Sequence, residues 1–357
     1  MKPKLVFLMP GIEADFFSAR SLFHRQDIYA SALQNLFREN YSKGLVLYSG
    51  ERSLDRDLTL KFLDVKRISS GKVGLAIFIW NSIRYLKSLK SEKIILVAGT
   101  PFQPFLTAIA IKSFLKNCRI QVSIHGELAG VQSGILKKWF FGKQIKRADA
   151  IRFVSLAQQQ DFEDKYRISH IPKSVTPVPI NVPDNSGTKK YVEAIGFVGR
   201  IHSERDPVFW ASIVNEFPTL RKIIIGNGPL EHQLKNALPS AVFRGRLDGE
   251  ELLQQWDEIG ILLSTAPHES YGLAIREALL NGVSVVARES AGVKQLSQDF
   301  PRLVKTFTTK DEATRAISSF IDSYPKAEEF VSFKNWFIAT QNHSLKSLAD
   351  LWNSISD

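Results

Sequence analysis

Short apolar runs rich in valine, isoleucine and leucine alternate with segments of helical periodicity along this chain. Parallel strands buried on both faces are nearly continuous apolar runs, and consecutive parallel strands need a helix between them. The alternation therefore predicts an α/β protein built on parallel sheets. The predicted strands are residues 4–9, 45–48, 93–98, 120–124 and 150–154 in the first half and 194–198, 222–225, 241–243, 259–263 and 283–287 in the second.

Two domains are expected, because the 357 residues of the chain exceed what one hydrophobic core usually supports. Residues 170–193 carry several prolines and a polar Asp-Asn-Ser-Gly sequence, which favours a turn-rich connection between the two series of strands. The predicted organisation is a Rossmann-like domain over 1–180, a linker over 181–193, a second Rossmann-like domain over 194–334 and a final helix over 335–357. A ligand site is expected in the cleft between two such domains.

The composition is typical of a soluble globular protein, with 44% hydrophobic and 23% charged residues. The apolar run at residues 5–9 has the length of a strand and ends at Pro10, so we interpret it as a buried strand and not as a signal peptide. Cys118 is the only cysteine. No intrachain disulfide can therefore form, and we expect a reducing, cytoplasmic environment.

The net charge of +11 favours partners that carry phosphate, such as nucleic acid, an anionic membrane or a nucleotide. Nucleic-acid-binding proteins usually present a recognition helix, a zinc finger or basic residues interleaved with aromatic ones, and the sequence contains no such module. The seven histidines show no metal-ligand spacing. We therefore expect neither nucleic acid nor a bound metal.

The most informative segment is residues 264–287. After a predicted strand, a loop carries Glu269, a helix begins near Tyr271, and an Asn-Gly pair stops it. Unpaired amides and the positive dipole end at this helix N-terminus predict a diphosphate pocket at the carboxyl edge of the sheet. Glu277 lies roughly 8 Å further along, at about 1.5 Å per residue, within reach of the ribose of a nucleotide.

Glu269 and Glu277, with seven residues between them and Tyr-Gly-Leu after the first, resemble the signature of retaining GT-B-fold glycosyltransferases. This is the family 4-like, or group 1, class. In that family the first glutamate contacts the donor sugar and the second contacts the ribose. The resemblance implies the same two roles for Glu269 and Glu277.

Residues 197–206 are similar to the turn that opens the donor domain in this family, where an arginine and a lysine grip the donor diphosphate. Arg200 matches the arginine, and Arg205 stands at the lysine position. Arginine keeps the positive charge and adds bidentate geometry. Asp206 replaces the usual glycine of the turn.

Two further turns match in order along the chain. Residues 225–229 resemble the Gly-x-Gly-Pro turn of the family, and residues 242–247 resemble the strand and loop against which the base packs. The implied donor-binding residues are Gly11, Gly199, Arg200, Arg205, Gly226, Asn227, Arg246, Glu269, Ser270, Tyr271, Gly272, Leu273 and Glu277. The implied catalytic residues are Arg200, Arg205, Glu269 and His125.

The first half matches the family less closely. His125 follows a predicted strand, like the histidine that reaches the donor sugar in this family, although a lone histidine there is as often structural. Gly11 stands where the family often has paired glycines, but Ile12 follows it. The departure at Ile12 predicts a differently shaped acceptor side. In the second half, Ser284 replaces a usual proline, and Gly292 only partly matches a later Gly-Gly motif.

The resemblance implies a GT-B fold, in which two Rossmann-like domains face a central cleft and a C-terminal helix crosses back to the first domain. It implies a nucleotide-diphosphate sugar as co-substrate, with no other cofactor and no metal, and a glycan or lipid-linked acceptor in polysaccharide or glycoconjugate biosynthesis. It also implies retention by front-side displacement, with Arg200, Arg205 and the helix amides stabilising the departing diphosphate.

Three alternatives compete with this interpretation. Asp55-Arg56-Asp57 is an Asp-x-Asp triplet of the kind that holds a cation in GT-A transferases, but no apolar strand leads into it. A nicotinamide oxidoreductase would share the doubly wound sheets, but no Gly-x-Gly-x-x-Gly sequence follows a strand. A non-catalytic, transferase-like subunit that binds nucleotide sugar stays open.

Residues 135–147 combine an aromatic cluster with five basic residues, Lys137, Lys138, Lys143, Lys146 and Arg147. One hypothesis is that these cations attach the protein peripherally to the anionic inner face of a membrane. The alternative is an ordinary helix that packs its aromatic residues on the first sheet and leaves its lysines in solvent.

Overall fold

The computed structural model describes residues 4–10, 23, 26–31, 43–49, 60–68, 74–89, 93–99, 103–125, 141–183, 193–247 and 249–356. The chain divides into two compact units, one formed by Met1–Pro179 with Gln341–Asp357 and the other by Ile180–Thr340. Among the described residues, no helix is both long enough and apolar enough to span a membrane.

The first unit is built on a parallel sheet. Its strands are β1 (Lys4–Met9), β2 (Gly44–Tyr48), β3 (Leu63–Arg67), β4 (Ile94–Gly99), β5 (Cys118–Ser123), β6 (Ala150–Phe153) and β7 (Lys173–Val175). Its helices include α1 (Leu75–Ser88), α2 (Gln103–Phe114) and α3 (Leu156–Tyr166). The seven strands run in the order β3-β2-β1-β4-β5-β6-β7, and every neighbouring pair is parallel.

Both faces of this sheet are covered. Alternate residues of β1 pack into different clusters: Val6 and Leu8 join the residues of α1, α2 and α3 on one face, whereas Leu5 and Phe7 join the C-terminal helix on the other. A strand buried in this way is apolar at every position, which explains why the central strands are evident in the sequence. Cys118 lies in this core, and burial raises the pKa of its thiol to about 12.

The second unit contains the other parallel sheet. Its strands are β8 (Ala194–Val198), β9 (Arg221–Ile225), β10 (Val242–Gly245), β11 (Ile261–Ser264), β12 (Ser284–Arg288) and β13 (Val304–Phe307). Its helices are α4 (Pro207–Val214), α5 (Glu231–Ala237), α6 (Glu250–Gln255), α7 (Leu273–Leu280), α8 (Ala291–Asp299), α9 (Lys310–Asp322) and the first part of α10 (Ala327–Ser356). The six strands run in the order β10-β9-β8-β11-β12-β13.

Helix α10 is longer than the predicted final helix, because it begins at Ala327 and not at residue 335. Phe330 and Phe333 extend the pattern backwards, and together with Phe337 they pack into the core of the second unit. The last part of α10 belongs to the first unit, where Trp352 is buried. The Trp352 indole Nε1 donates a hydrogen bond to Gln121 Oε1 at 3.2 Å.

The ten predicted strands all coincide with observed ones, but β3, β7 and β13 were not predicted. Each of the three is an edge strand of its sheet. An edge strand is buried on fewer sides, and the pattern of β3 alternates between buried and exposed positions. Strand β7 also lies inside residues 170–193, so this stretch contains a short strand as well as the predicted turns.

Candidate active site

The strand order of the second sheet reverses between β8 and β11, since β9 and β10 continue on one side and β12 and β13 on the other. In open α/β sheets, ligands bind outside the carboxyl ends of the strands at such a point. A pocket lies there. It is lined by Phe197, Val198, Arg205, Leu262, Leu263, Ser264, Thr265, Ala266, Glu269, Ala274 and Ile275.

Two turns that contain glycine lie at this edge of the sheet. Gly199 follows β8 and Gly226 follows β9, and a Cβ on Gly226 would lie 1.9 Å from the carbonyl oxygen of Gly199. The amide of Ile201 donates to the carbonyl of Asn227 at 2.9 Å, which holds the two turns together. Gly226 also has a φ of 141°, so both its conformation and its surroundings require glycine.

The turn after Gly199 presents the side chain of Arg205. Asp206 adopts the left-handed conformation, with φ 47° and ψ 58°, which glycine adopts readily and aspartate only occasionally. Its carboxylate caps α4 by accepting from the amide of Phe209 at 3.3 Å. The Thr265 hydroxyl lies 2.7 Å from the carbonyl oxygen of Arg205 and thereby ties the turn to the end of β11.

Glu269 joins this turn to the N-terminus of α7. Its Oε2 lies 3.2 Å from Arg205 Nη1, and its Oε1 accepts from the amide of Gly272 at 3.2 Å. The Glu269 side chain is 16% exposed and that of Arg205 is 30% exposed. The pair is thus partly shielded from water, which strengthens its electrostatic attraction relative to a surface ion pair.

The loop that carries Glu269 is fixed from a second side by α8. The amide of Gly292 donates to the Glu269 carbonyl at 2.8 Å. A Cβ on Gly292 would lie 2.4 Å from that same carbonyl oxygen. In the sequence Gly292 is only a partial match to a motif, whereas in the structure it makes the close approach that positions the loop.

Arg276 is a further residue of this region that sequence analysis missed. Its guanidinium carbon lies 3.9 Å from the centre of the Tyr271 ring, and its Nη1 donates to the carbonyl of Gly292 at 3.4 Å. Burial lowers the pKa of Arg276, while Tyr271 and Glu269 oppose that shift. An arginine stays charged under such a shift. Nothing in the sequence distinguishes it from an ordinary helical arginine.

The other predicted donor-site residues lie as follows. Arg200 follows Gly199 and is paired with Glu204, both more than 40% exposed. Glu277 lies in the second turn of α7 and is half-buried, as are Ser270 and Leu273 on either side of the helix start. Arg246 follows β10 directly. The structure therefore brings together four of the predicted residues: Arg205, Glu269, Gly199 and Gly272. Arg200 is not in this group and is paired with Glu204.

The candidates from the first half lie in the first unit or outside the described residues. His125 is exposed two residues beyond β5, in the first unit. Gly11 and the Asp55-Asp57 triplet lie outside the described residues, as do positions 135–140. Within the described part of the chain, no group of three or more His, Cys, Asp or Glu side chains is placed to hold a metal ion.

Comparison with characterised proteins gives partial sequence matches. Over 175 residues, 49% of the chain, it is 27% identical to a GDP-mannose-dependent alpha-mannosyltransferase of Corynebacterium glutamicum, of which the match covers 37%. Over 101 residues, 28% of the chain, it is 32% identical to the sulfoquinovosyl transferase SQD2 of Arabidopsis thaliana, of which the match covers 20%. The chain thus spans well under half the length of these relatives. No protein-family profile matches it.

Solved structures match along the whole chain. Anabaena HepE in complex with UDP has a TM-score of 0.69 at 15% identity, with 98% of this chain and 100% of that chain covered. A glycosyltransferase from Rickettsia africae has a TM-score of 0.75 at 12% identity, with 99% and 98% covered. This chain has the GT-B fold. The fold predicted from the sequence is confirmed, and the partial sequence matches are themselves to glycosyltransferases.

Proposed function

We propose that this GT-B protein is a retaining glycosyltransferase that moves a sugar from a nucleotide-diphosphate donor to a glycan or lipid-linked acceptor in glycoconjugate biosynthesis. One observation carries the proposal. Arg205, Glu269 and the amide of Gly272, which donates to Glu269, converge beside a pocket at the reversal point of the second sheet. A cation, a carboxylate and a helix N-terminus within one pocket suit a donor that has a diphosphate at one end and sugar hydroxyls at the other.

In this proposal the donor is held from three directions. Arg205, Arg200 and the amides at Gly272 and Leu273 bind the diphosphate, with the turns at Gly199, Gly226 and Asn227 allowing its close approach. Glu277 binds the ribose, and the base lies near Arg246. Glu269 accepts hydrogen bonds from the sugar hydroxyls, and Ser270 and Tyr271 complete the loop beneath it.

The proposed reaction replaces one bond at the anomeric carbon. The bond from that carbon to the diphosphate oxygen breaks, and its electron pair leaves with the nucleoside diphosphate. The acceptor hydroxyl oxygen bonds to the same face of the carbon, and its proton passes to the departing phosphate oxygen. Arg205 and the helix amides are preorganised for the charge that develops on the leaving group, while the carboxylate of Glu269 favours the positive charge that develops on the sugar.

The base and the sugar of the donor stay open in this proposal. The relatives include mannosyltransferases named as GDP-mannose-dependent, and the similar HepE structure contains UDP. A panel of nucleotide sugars, screened for a rise in the unfolding temperature, tests donor binding, because a ligand that binds only the folded state stabilises it. We expect one donor class to stabilise the protein. Stabilisation by NAD alone would favour an oxidoreductase instead.

Two finer parts of the proposal concern the first unit and the environment of the enzyme. His125 is proposed to orient the donor sugar, and a His125→Ala variant with unchanged kinetics would exclude that role. Activity is proposed to be cytoplasmic and independent of added metal. Loss of activity in EDTA that only magnesium or manganese reverses would instead favour a role for the Asp55-Asp57 triplet.

Peripheral attachment to an anionic membrane is also proposed. In the described part of residues 135–147, Phe141 and Ile145 are buried, whereas Lys143, Lys146 and Arg147 are exposed. Several exposed cations at such a surface contribute roughly 1 kcal/mol each at low salt. Co-sedimentation with phosphatidylglycerol vesicles tests this: a variant with glutamine at Lys137, Lys138, Lys143 and Lys146 is expected to bind less than the wild type. Equal binding would exclude the attachment.

A further inference from the structure

We propose that the Glu269 carboxylate acts as an internal anion of the diphosphate pocket. In the free enzyme it binds Arg205 and the Gly272 amide, the groups that would bind the diphosphate, and it leaves them when the donor binds. This inference rests on the proposed function. It concerns what the pocket holds between turnovers and how the enzyme distinguishes its nucleotide-sugar substrate from its nucleoside-diphosphate product.

The geometry of Glu269 supports the first step. One carboxylate oxygen lies 3.2 Å from Arg205 Nη1 and the other lies 3.2 Å from the amide nitrogen of Gly272. The first amides of a helix have no intrahelical acceptor, so the Gly272 N–H is available to an anion. Glu269 therefore holds a guanidinium and a helix N-terminal amide together, the combination that proteins use for phosphate.

The diphosphate and the Glu269 carboxylate compete for the same two groups, because both are anions and the space is limited. A phosphate oxygen and a carboxylate oxygen cannot both accept from the single N–H of Gly272, and two anions beside Arg205 repel each other. Binding of the diphosphate therefore displaces the Glu269 carboxylate from the amide. Because its side chain is only 16% exposed, the displaced carboxylate needs another polar partner.

An intact nucleotide sugar supplies that partner, since the sugar hydroxyls can donate to Glu269. A nucleoside diphosphate has no hydroxyl at that position, so its binding displaces the carboxylate without compensation. Glu269 thus weakens binding of the product more than binding of the substrate. Its return to Arg205 and Gly272 after the transfer step favours release of the nucleoside diphosphate.

A second ion pair at the same edge provides an internal comparison. Arg200 is paired with Glu204, but that pair is 44% and 54% exposed, whereas Arg205 and Glu269 are 30% and 16% exposed. Exposed pairs are screened by water and contribute little. Removing the Glu269 charge should therefore change nucleoside-diphosphate affinity more than removing the Glu204 charge.

The experiment measures dissociation constants by isothermal titration calorimetry for GDP, UDP, inorganic pyrophosphate and the nucleotide sugar that stabilises the protein. The proteins are the wild type, Glu269→Gln, Glu269→Ser and Glu204→Gln. Glu216→Gln is the matched control, because it removes the same charge from a surface pair with Lys310 elsewhere in the second unit. Circular dichroism verifies that each variant is folded.

We expect both Glu269 variants to bind the cognate nucleoside diphosphate about tenfold more tightly than the wild type, a change of about 1.4 kcal/mol. Their affinity for the intact nucleotide sugar should not rise by the same factor, and their turnover should fall. Glu204→Gln should change nucleoside-diphosphate affinity by less than about threefold, and Glu216→Gln should leave it unchanged.

Unchanged or weaker nucleoside-diphosphate binding in folded Glu269→Gln would overturn this inference and leave the proposed function intact. Equal tightening in Glu216→Gln would also overturn it, because the effect would then come from net charge. Failure of every nucleotide and of pyrophosphate to bind the wild type would overturn the proposed function itself.

Discussion

Arg288, at the end of β12, places its Nη1 3.3 Å from Asp206 Oδ2, the residue that follows Arg205. The same guanidinium lies over the ring of Phe209 at 5.4 Å from its centre. Asp206 holds a left-handed conformation that is unfavourable for most residues. Three interactions therefore hold the turn that places Arg205 beside Glu269: this ion pair, the cap to Phe209 and the hydrogen bond from the Thr265 hydroxyl.

This relationship predicts coupling between Asp206 and Arg288. Arg288→Met should lower kcat/KM with the cognate donor, because the Arg205 turn loses one of its supports. The same change in an Asp206→Gly background should have a smaller effect, since glycine adopts the left-handed conformation without help. A double-mutant cycle should give a coupling of about 0.5–1 kcal/mol. Strict additivity would show that the pair does not support the turn.

Gly226→Ala should be strongly destabilising. The added Cβ would meet the Gly199 carbonyl at 1.9 Å, and φ is 141°. We expect a cost of about 3 kcal/mol or more in the free energy of unfolding and loss of donor binding. Gly249→Ala is the matched control, because Gly249 also has a positive φ, 58°, but no atom within 4 Å of an added Cβ. Its cost should be about 1 kcal/mol. Equal shifts in the urea denaturation midpoints of the two variants would contradict the close approach of Gly226 to the Gly199 carbonyl.

Arg276→Met should lower kcat about tenfold while the protein stays folded, because the Glu269 loop loses the link between Tyr271 and Gly292 and small displacements of catalytic groups are costly. Arg276→Lys should recover only part of the loss, since a lysine does not stack in the same way. Lys294→Met, an exposed change on α8, is the control. Steady-state kinetics measures the effect. A wild-type kcat in Arg276→Met would exclude a role for Arg276 in positioning the Glu269 loop.

Trp352→Phe should destabilise the first unit by about 1–3 kcal/mol, because the buried side-chain Oε1 of Gln121 loses its indole donor. Trp336 lies on the same helix but is 36% exposed, so Trp336→Phe should cost much less. Thermal unfolding of both variants provides the comparison. Equal shifts in the unfolding temperature would indicate that the hydrogen bond to Gln121 contributes nothing.

The sequence was sufficient to predict the central strands and the GT-B fold, because buried parallel strands impose a strong local pattern. It also pointed to Arg205 and Glu269, whose side chains lie 3.2 Å apart in the structure. It was insufficient for β3, β7 and β13, which are half-exposed edges without a continuous apolar run. Arg276 and Arg288 were also missed. Their contacts join residues that different loops and strands bring together, and no local pattern records such contacts.

The most direct test of the central claim is the release of nucleoside diphosphate from the stabilising nucleotide sugar, measured with a cell-envelope glycan or lipid extract as the source of acceptor. The wild type is expected to release nucleoside diphosphate in step with incorporation of labelled sugar into the extract. Arg205→Ala should reduce this rate on the order of 100-fold, as expected for loss of a group that stabilises the leaving charge. No release by the wild type with any donor, or a full rate in Arg205→Ala, would contradict the account.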